Sequence, residues 1–150
     1  MISNILVPTD GSETAQKAAR YAIDLAKQLK STVLIVSVID NQSLMAQAIP
    51  ADDNPHHVIQ TVDDYLKEAA QAYAKDIKEI CDEQGVASTI VITTGHPAEE
   101  ILKEAESSNA DLIVIGSHGK SALAAALLGS VSYSIIHKET KIPVLIVRRQ

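Results

Sequence analysis

The chain has 150 residues, 46% hydrophobic, 21% charged and 3% aromatic, with a net charge of −6. That is one ordinary domain's length, large enough to bury a core without a disulfide or a structural metal. An acidic chain of this kind is a poor match for the phosphates of nucleic acid or for an anionic membrane surface, so neither is expected as a partner.

The opening segment MISNILVPTD has no basic region and no long apolar run. No secretory signal is expected from it, and no stretch reaches the ~20 apolar residues of a membrane helix. A single cysteine, Cys81, excludes an internal disulfide. The expected compartment is the reducing cytoplasm. The cysteine reads as a small packing residue rather than a redox switch.

Ile5-Leu6-Val7 is a short apolar run that stops at Pro8. From residue 12 to 29 the period changes. Ala15, Ala18, Ala19, Ala22, Ala26 and Leu29 share one helical face, and Ser12 is placed to cap it. Val33 to Ile39 reads as a fully buried strand. Residues 40–57, with Pro50, Pro55 and Asp52-Asp53, are expected to be irregular. A long helix is predicted from about 58 to 84, ending at Gly85. Ile90-Val91-Ile92 is a third strand. Gly95-His96-Pro97 turns into a helix carrying Ala98, Ile101, Leu102 and Ala105, with Pro97 at its first position. Leu112 to Ile115 is a fourth strand, a helix is expected over Val131 to Lys138, and Val144 to Val147 is a fifth strand.

Strands alternating with helices predict an α/β fold: a Rossmann-like, doubly wound parallel sheet of five strands with helices on both faces. One domain over residues 1–150 is expected, without repeats or linkers. In such a sheet a ligand binds beyond the carboxyl ends of the strands, where the strand order reverses.

Two strand ends carry the residues for this. After the first come Pro8, Thr9, Asp10, Gly11 and Ser12. Asp10 is able to accept from ribose hydroxyls, and it or Ser12 is equally able to cap the helix that follows. After the fourth come Gly116, Ser117, His118, Gly119, Lys120 and Ser121, and then Gly129-Ser130 before a helix. Glycines after a buried strand let backbone N–H groups approach an anion, and a helix N-terminus adds free N–H groups and a positive dipole end. Any one of these glycines alone reads as a turn. Together with Ser130 they form a candidate phosphate cradle. A Walker A loop is excluded because position 114 is Val, and no dinucleotide fingerprint follows the first strand.

The spacing Gly116, Gly119, nine residues, Gly129-Ser130 resembles the ATP-binding branch of the universal stress protein family. Ile5 to Ser12, Val36 to Asp40, Gly95-His96-Pro97 and Ile142 to Val147 are similar to that family as well, so the likeness spans the chain. The resemblance implies strand order 3-2-1-4-5 and a bound adenine nucleotide: ATP, or ADP or AMP, with Mg²⁺ carried on the phosphates. It places Pro8, Thr9 and Asp10 at the ribose and the Val38 backbone at adenine. Gly116 and Gly119, with Ser117 and His118 between them, would line the ribose and phosphates. Gly129, Ser130, Val131 and Ser132 would hold the phosphates by N–H and hydroxyl. It also implies a homodimer through the last strand, residues 142–147.

The function expected is a stress-response sensor that responds to nucleotide occupancy. Two alternatives stand beside it. One is a slow ATPase or phosphotransferase, with Ser117, Ser130 or Ser132 phosphorylated or a water activated near Asp10. The other is a dimeric adaptor without nucleotide. His118 is a candidate phosphate contact or acid/base. His56-His57 reads as loop rather than metal site, and Lys120 either neutralises phosphate or is solvated.

Overall fold

The computed structural model describes residues 1–40, 55–118, 129–138 and 140–148, with only the backbone for 55–60. Gly119, Lys120 and most of the segment expected to be irregular lie outside the described residues.

The order of elements is β1 (Asn4–Pro8), α1 (Glu13–Leu29), β2 (Thr32–Ile39), α2 (Pro55–Glu83), β3 (Ser88–Thr94), α3 (Pro97–Ser107), β4 (Leu112–Gly116), α4 (Ser130–His137) and β5 (Val144–Val147). All strand pairs are parallel and the sheet order is β3-β2-β1-β4-β5, as the family resemblance implies. The central strand is set by two registers at once: Leu6 stands opposite Leu34 on β2 and Ile113 on β4.

Each helix has a local reason for its bounds. The Ser12 hydroxyl accepts from the Ala15 N–H at 3.2 Å and opens α1. Pro97 opens α3. Helix α2 closes in a Schellman motif: Gly85 has φ +71°, its N–H donates to the Asp82 carbonyl at 3.2 Å, and the Val86 N–H donates to Cys81 at 2.8 Å. Helix α2 begins at Pro55, so residues 55–57 are helical rather than irregular as expected. A proline at the first helical position costs no hydrogen bond. Helix α4 begins at Ser130, one residue earlier than expected, because Gly129 rather than Ser130 takes the extended capping conformation.

Side-chain alternation divides the core between the two faces of the sheet. Ile5, Val7, Val33, Ile35 and Val114 pack with the alanine face of α1 and with Ala74, Ile77 and Cys81 of α2. Leu6, Val36, Ile113 and Ile115 pack with Ala98, Ile101 and Leu102 of α3 and Ile135 of α4. Ile5, Leu6, Ile35 and Ile113 are fully buried, each stabilising the fold by about 1.5–3 kcal/mol relative to exposure. With few aromatics, alanine brings α1 close to the sheet. Gly116 shows how close: a Cβ there would lie 2.8 Å from the Thr14 carbonyl oxygen.

Candidate functional site

The chain runs from β1 outward through β2 to β3, then crosses to β4 and β5 on the other side. The order therefore reverses between β1 and β4. A cavity of ≈ 310 Å³ opens beyond the carboxyl ends of the strands at that point, within the size range of small-ligand pockets.

The loop after β1 contributes Pro8, Thr9, Asp10 and Ser12 to the cavity. The Thr9 N–H continues the β1–β2 ladder by donating to Val36 at 2.9 Å, and its hydroxyl accepts from the Gly11 N–H at 3.2 Å. One Asp10 oxygen accepts from the Ser12 N–H at 2.9 Å. Asp10 therefore shapes the turn and lines the cavity as well, while Ser12 caps the helix.

The end of β4 contributes Gly116 and the segment after it contributes His118. The Thr14 hydroxyl donates to the His118 carbonyl, tying this segment to the first turn of α1. Ser117 is buried and lies outside the cavity lining. Its N–H donates to Val147 at 3.0 Å, its carbonyl accepts from the Gly129 N–H at 2.5 Å, and its hydroxyl is 3.0 Å from His118 Nδ1.

Ser130, Val131, Ser132 and Ser134 of α4 line the same cavity. The N-cap residue, Gly129, has no side chain to cap this helix; a helix start carries first-turn N–H groups and the positive dipole end, and residues of this one line the space. Two atoms expected to meet phosphate are spent elsewhere. The Gly129 N–H is taken by the Ser117 carbonyl, and Gly129 does not line the cavity. The Ser132 hydroxyl, 3% exposed, donates to the Gly116 carbonyl at 2.7 Å. Ser130 remains as the exposed hydroxyl of this turn.

The rest of the lining is more apolar: Val36, Val38, Pro97, Ile101 and Ile115, together with Asp40 and His96. The Gly95 N–H donates to Ile39 at 3.0 Å, which brings the residues following β2 and β3 together.

The structure thus gathers Pro8, Thr9, Asp10, Val38, Gly116, His118, Ser130, Val131 and Ser132 around one space. Sequence reasoning missed Asp40 and His96 as lining residues. The rule that pointed to β1 and β4 would have found them, because each follows the carboxyl end of a strand. Ile101 and Ser134 lie one turn into their helices, where only the helix rotation reveals them. Among the described residues no three metal-ligating side chains come together, and no lysine or arginine lines the cavity. No helix of the described residues is long and apolar enough to cross a membrane.

A doubly wound parallel sheet with a part-apolar, part-polar cavity at its switch point defines an α/β protein with a space of small-ligand size there. The chain belongs to the universal stress protein family, whose model matches residues 1–148. It is 35% identical to universal stress protein MJ0577 of Methanocaldococcus jannaschii over 159 residues, covering 100% of this chain and 97% of that protein. The solved structure of MJ0577 superposes with a TM-score of 0.85 at 33% identity, over 100% of this chain and 98% of the other. The same fold is found in a universal stress protein in complex with cAMP, with TM-score 0.71, 22% identity and 99% of each chain covered. It is found again in a family member of Arabidopsis thaliana with AMP bound, with TM-score 0.69, 18% identity, and 99% and 92% of the two chains covered.

Proposed function

We propose that the chain, read as one domain over residues 1–150, binds an adenine nucleotide, with ATP the preferred candidate, and acts as a sensor whose occupancy alters a partner or its own dimer. One observation carries the reading: the start of α4 and a polar β1 loop line one cavity together with the apolar side chains of Val36, Val38, Ile101 and Ile115. The base fits the end formed by Val36, Val38 and Ile101. The ribose fits beside Asp10, and the phosphates fit the N–H groups of Ser130, Val131 and Ser132, where the dipole favours negative charge. The relatives solved with cAMP and AMP support an adenine ligand.

Mg²⁺ would travel on the phosphates, as it commonly does; there it would neutralise charge, and this reading asks for no protein cage. A homodimer through residues 142–147 covers the sheet edge at β5, whose four residues are all half-buried. The cytoplasm suits an ATP-occupied protein.

Slow phosphoryl transfer is a second reading. The exposed Ser130 hydroxyl at the helix start favours it, whereas the Ser132 and Ser117 hydroxyls are buried and bonded.

Mass spectrometry of the small molecule released on denaturation tests the proposal, followed by calorimetry with ATP and Mg²⁺. Adenine nucleotide in the native protein, or binding at millimolar ATP or below, supports it. No retention and no binding at millimolar ATP overturns it. Steady turnover above about one per second would replace the sensor with an enzyme.

A further inference from the structure

We propose that Tyr73, a residue of α2 outside the cavity lining, is a positioning residue for the nucleotide: its ring lies on Gly11 and holds the turn after β1 in the shape that presents Asp10 and Ser12 to the ligand. This rests on the nucleotide reading above. It makes affinity depend on a helix of which no described residue lines the cavity.

The contact is close. Gly11 has φ +80°, and a Cβ built on it would fall 2.4, 2.5 and 2.6 Å from Cε1, Cδ1 and Cζ of Tyr73. The ring therefore stands where another residue would carry its side chain. Asp10 and Ser12, on either side of Gly11, line the cavity, while Gly11 and Tyr73 do not. Tyr73 thus acts on the ligand's space through the turn.

The turn has a physical need for the ring. Its start is tied to the sheet: the Thr9 N–H donates to the Val36 carbonyl at 2.9 Å, and the Gly11 N–H donates to the Thr9 hydroxyl at 3.2 Å. The Ser12 N–H, donating to Asp10 at 2.9 Å, closes it locally. Gly11 between them is the flexible joint, because glycine takes positive and negative φ about equally readily. An aromatic ring against its Cα removes the alternatives that would swing Asp10 away from the cavity.

Helix α2 is anchored where it carries the ring. Its buried side chains are Ala70, Ala74, Ile77 and Cys81, and none is buried among residues 61–69. Tyr73 lies at the start of this anchored part, close to Ala70 and Ile77 on the helix surface. Strands β2 and β3 are parallel, so α2 between them runs back along the sheet. The start of its anchored part therefore lies toward the carboxyl ends of the strands, where the cavity opens. Of the four tyrosines, Tyr21, Tyr65 and Tyr133 are exposed, whereas Tyr73 is half-buried.

The test uses the full chain with ATP and Mg²⁺. Calorimetry and urea denaturation compare wild type, Tyr73→Phe, Tyr73→Leu and Ile77→Val. The last loosens the packing of the same helix in the core rather than at the turn. Tyr73→Phe keeps the ring and should bind ATP within about twofold of wild type. Tyr73→Leu should weaken ATP binding about tenfold. Ile77→Val should lower the urea midpoint and leave the affinity unchanged. Wild-type affinity in Tyr73→Leu, or equal losses of affinity in Tyr73→Leu and Ile77→Val, overturns the proposal. A second readout needs no destabilised variant: the tyrosine ring resonances of wild type, with that of Tyr73 identified by its loss in Tyr73→Phe. At saturating ATP the Tyr73 signal should shift while those of Tyr21 and Tyr65 stay. An unmoved Tyr73 signal overturns the proposal and leaves the nucleotide reading standing. A wild type that binds no ATP overturns both.

Discussion

The Ser132 hydroxyl donates to the Gly116 carbonyl at 2.7 Å, joining the first turn of α4 to the last residue of β4 across 16 positions of sequence. Both residues line the cavity. The bond fixes how far the helix start stands from the strand end, and so fixes the width of the space that an anion would enter. A hydroxyl first read as a phosphate contact is instead part of the frame.

Ser132→Ala should therefore act on stability as well as on any ligand. It leaves the Gly116 carbonyl without this buried donor, at a cost of about 1–3 kcal/mol. Urea denaturation is expected to show a lowered midpoint with an unchanged slope. Ser130→Ala, at an exposed position, should leave the midpoint within about 0.5 kcal/mol of wild type. Equal effects at the two serines would contradict the assignment of Ser132 to the frame.

Gly116→Ala tests the close approach of α1. The new Cβ would lie 2.8 Å from the Thr14 carbonyl oxygen, which is helix backbone and unable to rotate away. Overpacking of this kind costs about 1–3 kcal/mol. Helix α1 should be displaced and the Thr14 to His118 bond disturbed, so thermal stability and ATP affinity should fall together. Wild-type values for both would mean that α1 moves more easily than the alanine packing implies.

Gly11 combines two constraints that a double-mutant cycle separates. Its φ is +80°, and a Cβ would fall 2.4 Å from the Tyr73 ring of α2. Gly11→Ala should destabilise by at least about 1 kcal/mol from the backbone conformation alone, with the clash added. In a Tyr73→Ala background the clash disappears and the backbone cost stays, so the two changes should be non-additive. Strict additivity would show that the ring does not restrict this turn.

The Asp111 carboxylate accepts from the Ser3 N–H at 2.8 Å and the Asn4 N–H at 2.9 Å. The Ser3 bond, followed by the Asn4 bond, holds its pKa below the ordinary carboxylate value. A carboxylate depressed in the folded state contributes stability that is present above its unfolded pKa, near 3.9. That contribution is lost as pH falls through the lower folded value. The difference in urea midpoint between wild type and Asp111→Asn should be constant near neutrality and shrink as pH drops below about 4. A difference that persists unchanged at the acid limit would assign the effect to something other than the charged acceptor.

Much of this was legible from residue order. Five apolar runs separated by helical periods are enough for a doubly wound sheet, and the glycine spacing after Ile115 marked the switch point. The illegible parts depend on how elements meet. Pro55 was read as a breaker although Pro97 was read as a helix start; both occupy the same first-turn position, and local sequence does not distinguish the two uses. Gly129 was assigned an N–H for the ligand, but that N–H belongs to Ser117, a partner chosen by the docking of α4 on β4. Asp40 and His96 share a cavity because Gly95 bonds to Ile39, a link set by the β2–β3 register.

Cys81 supplies the last prediction. The side chain is 0% exposed, in the cluster between α1, α2 and the sheet. Burial, opposed in part by a hydrogen bond with Ser88, pushes its pKa up. The native thiol is therefore both inaccessible and protonated, and thiolate is the reactive form. Labelling with a thiol reagent at neutral pH should proceed only through opening or unfolding, and should accelerate sharply across the urea transition. The sign for stability follows from the raised folded value: the contribution is full below the unfolded pKa, near 8.5, and is lost as pH rises toward the folded value. Wild type should lose stability relative to Cys81→Ala as pH climbs above about 8.5, although Cys81→Ala is the less stable protein at neutrality through its lost packing. Rapid labelling of the native protein at pH 7 would instead mean that α2 opens readily at its carboxyl-terminal end.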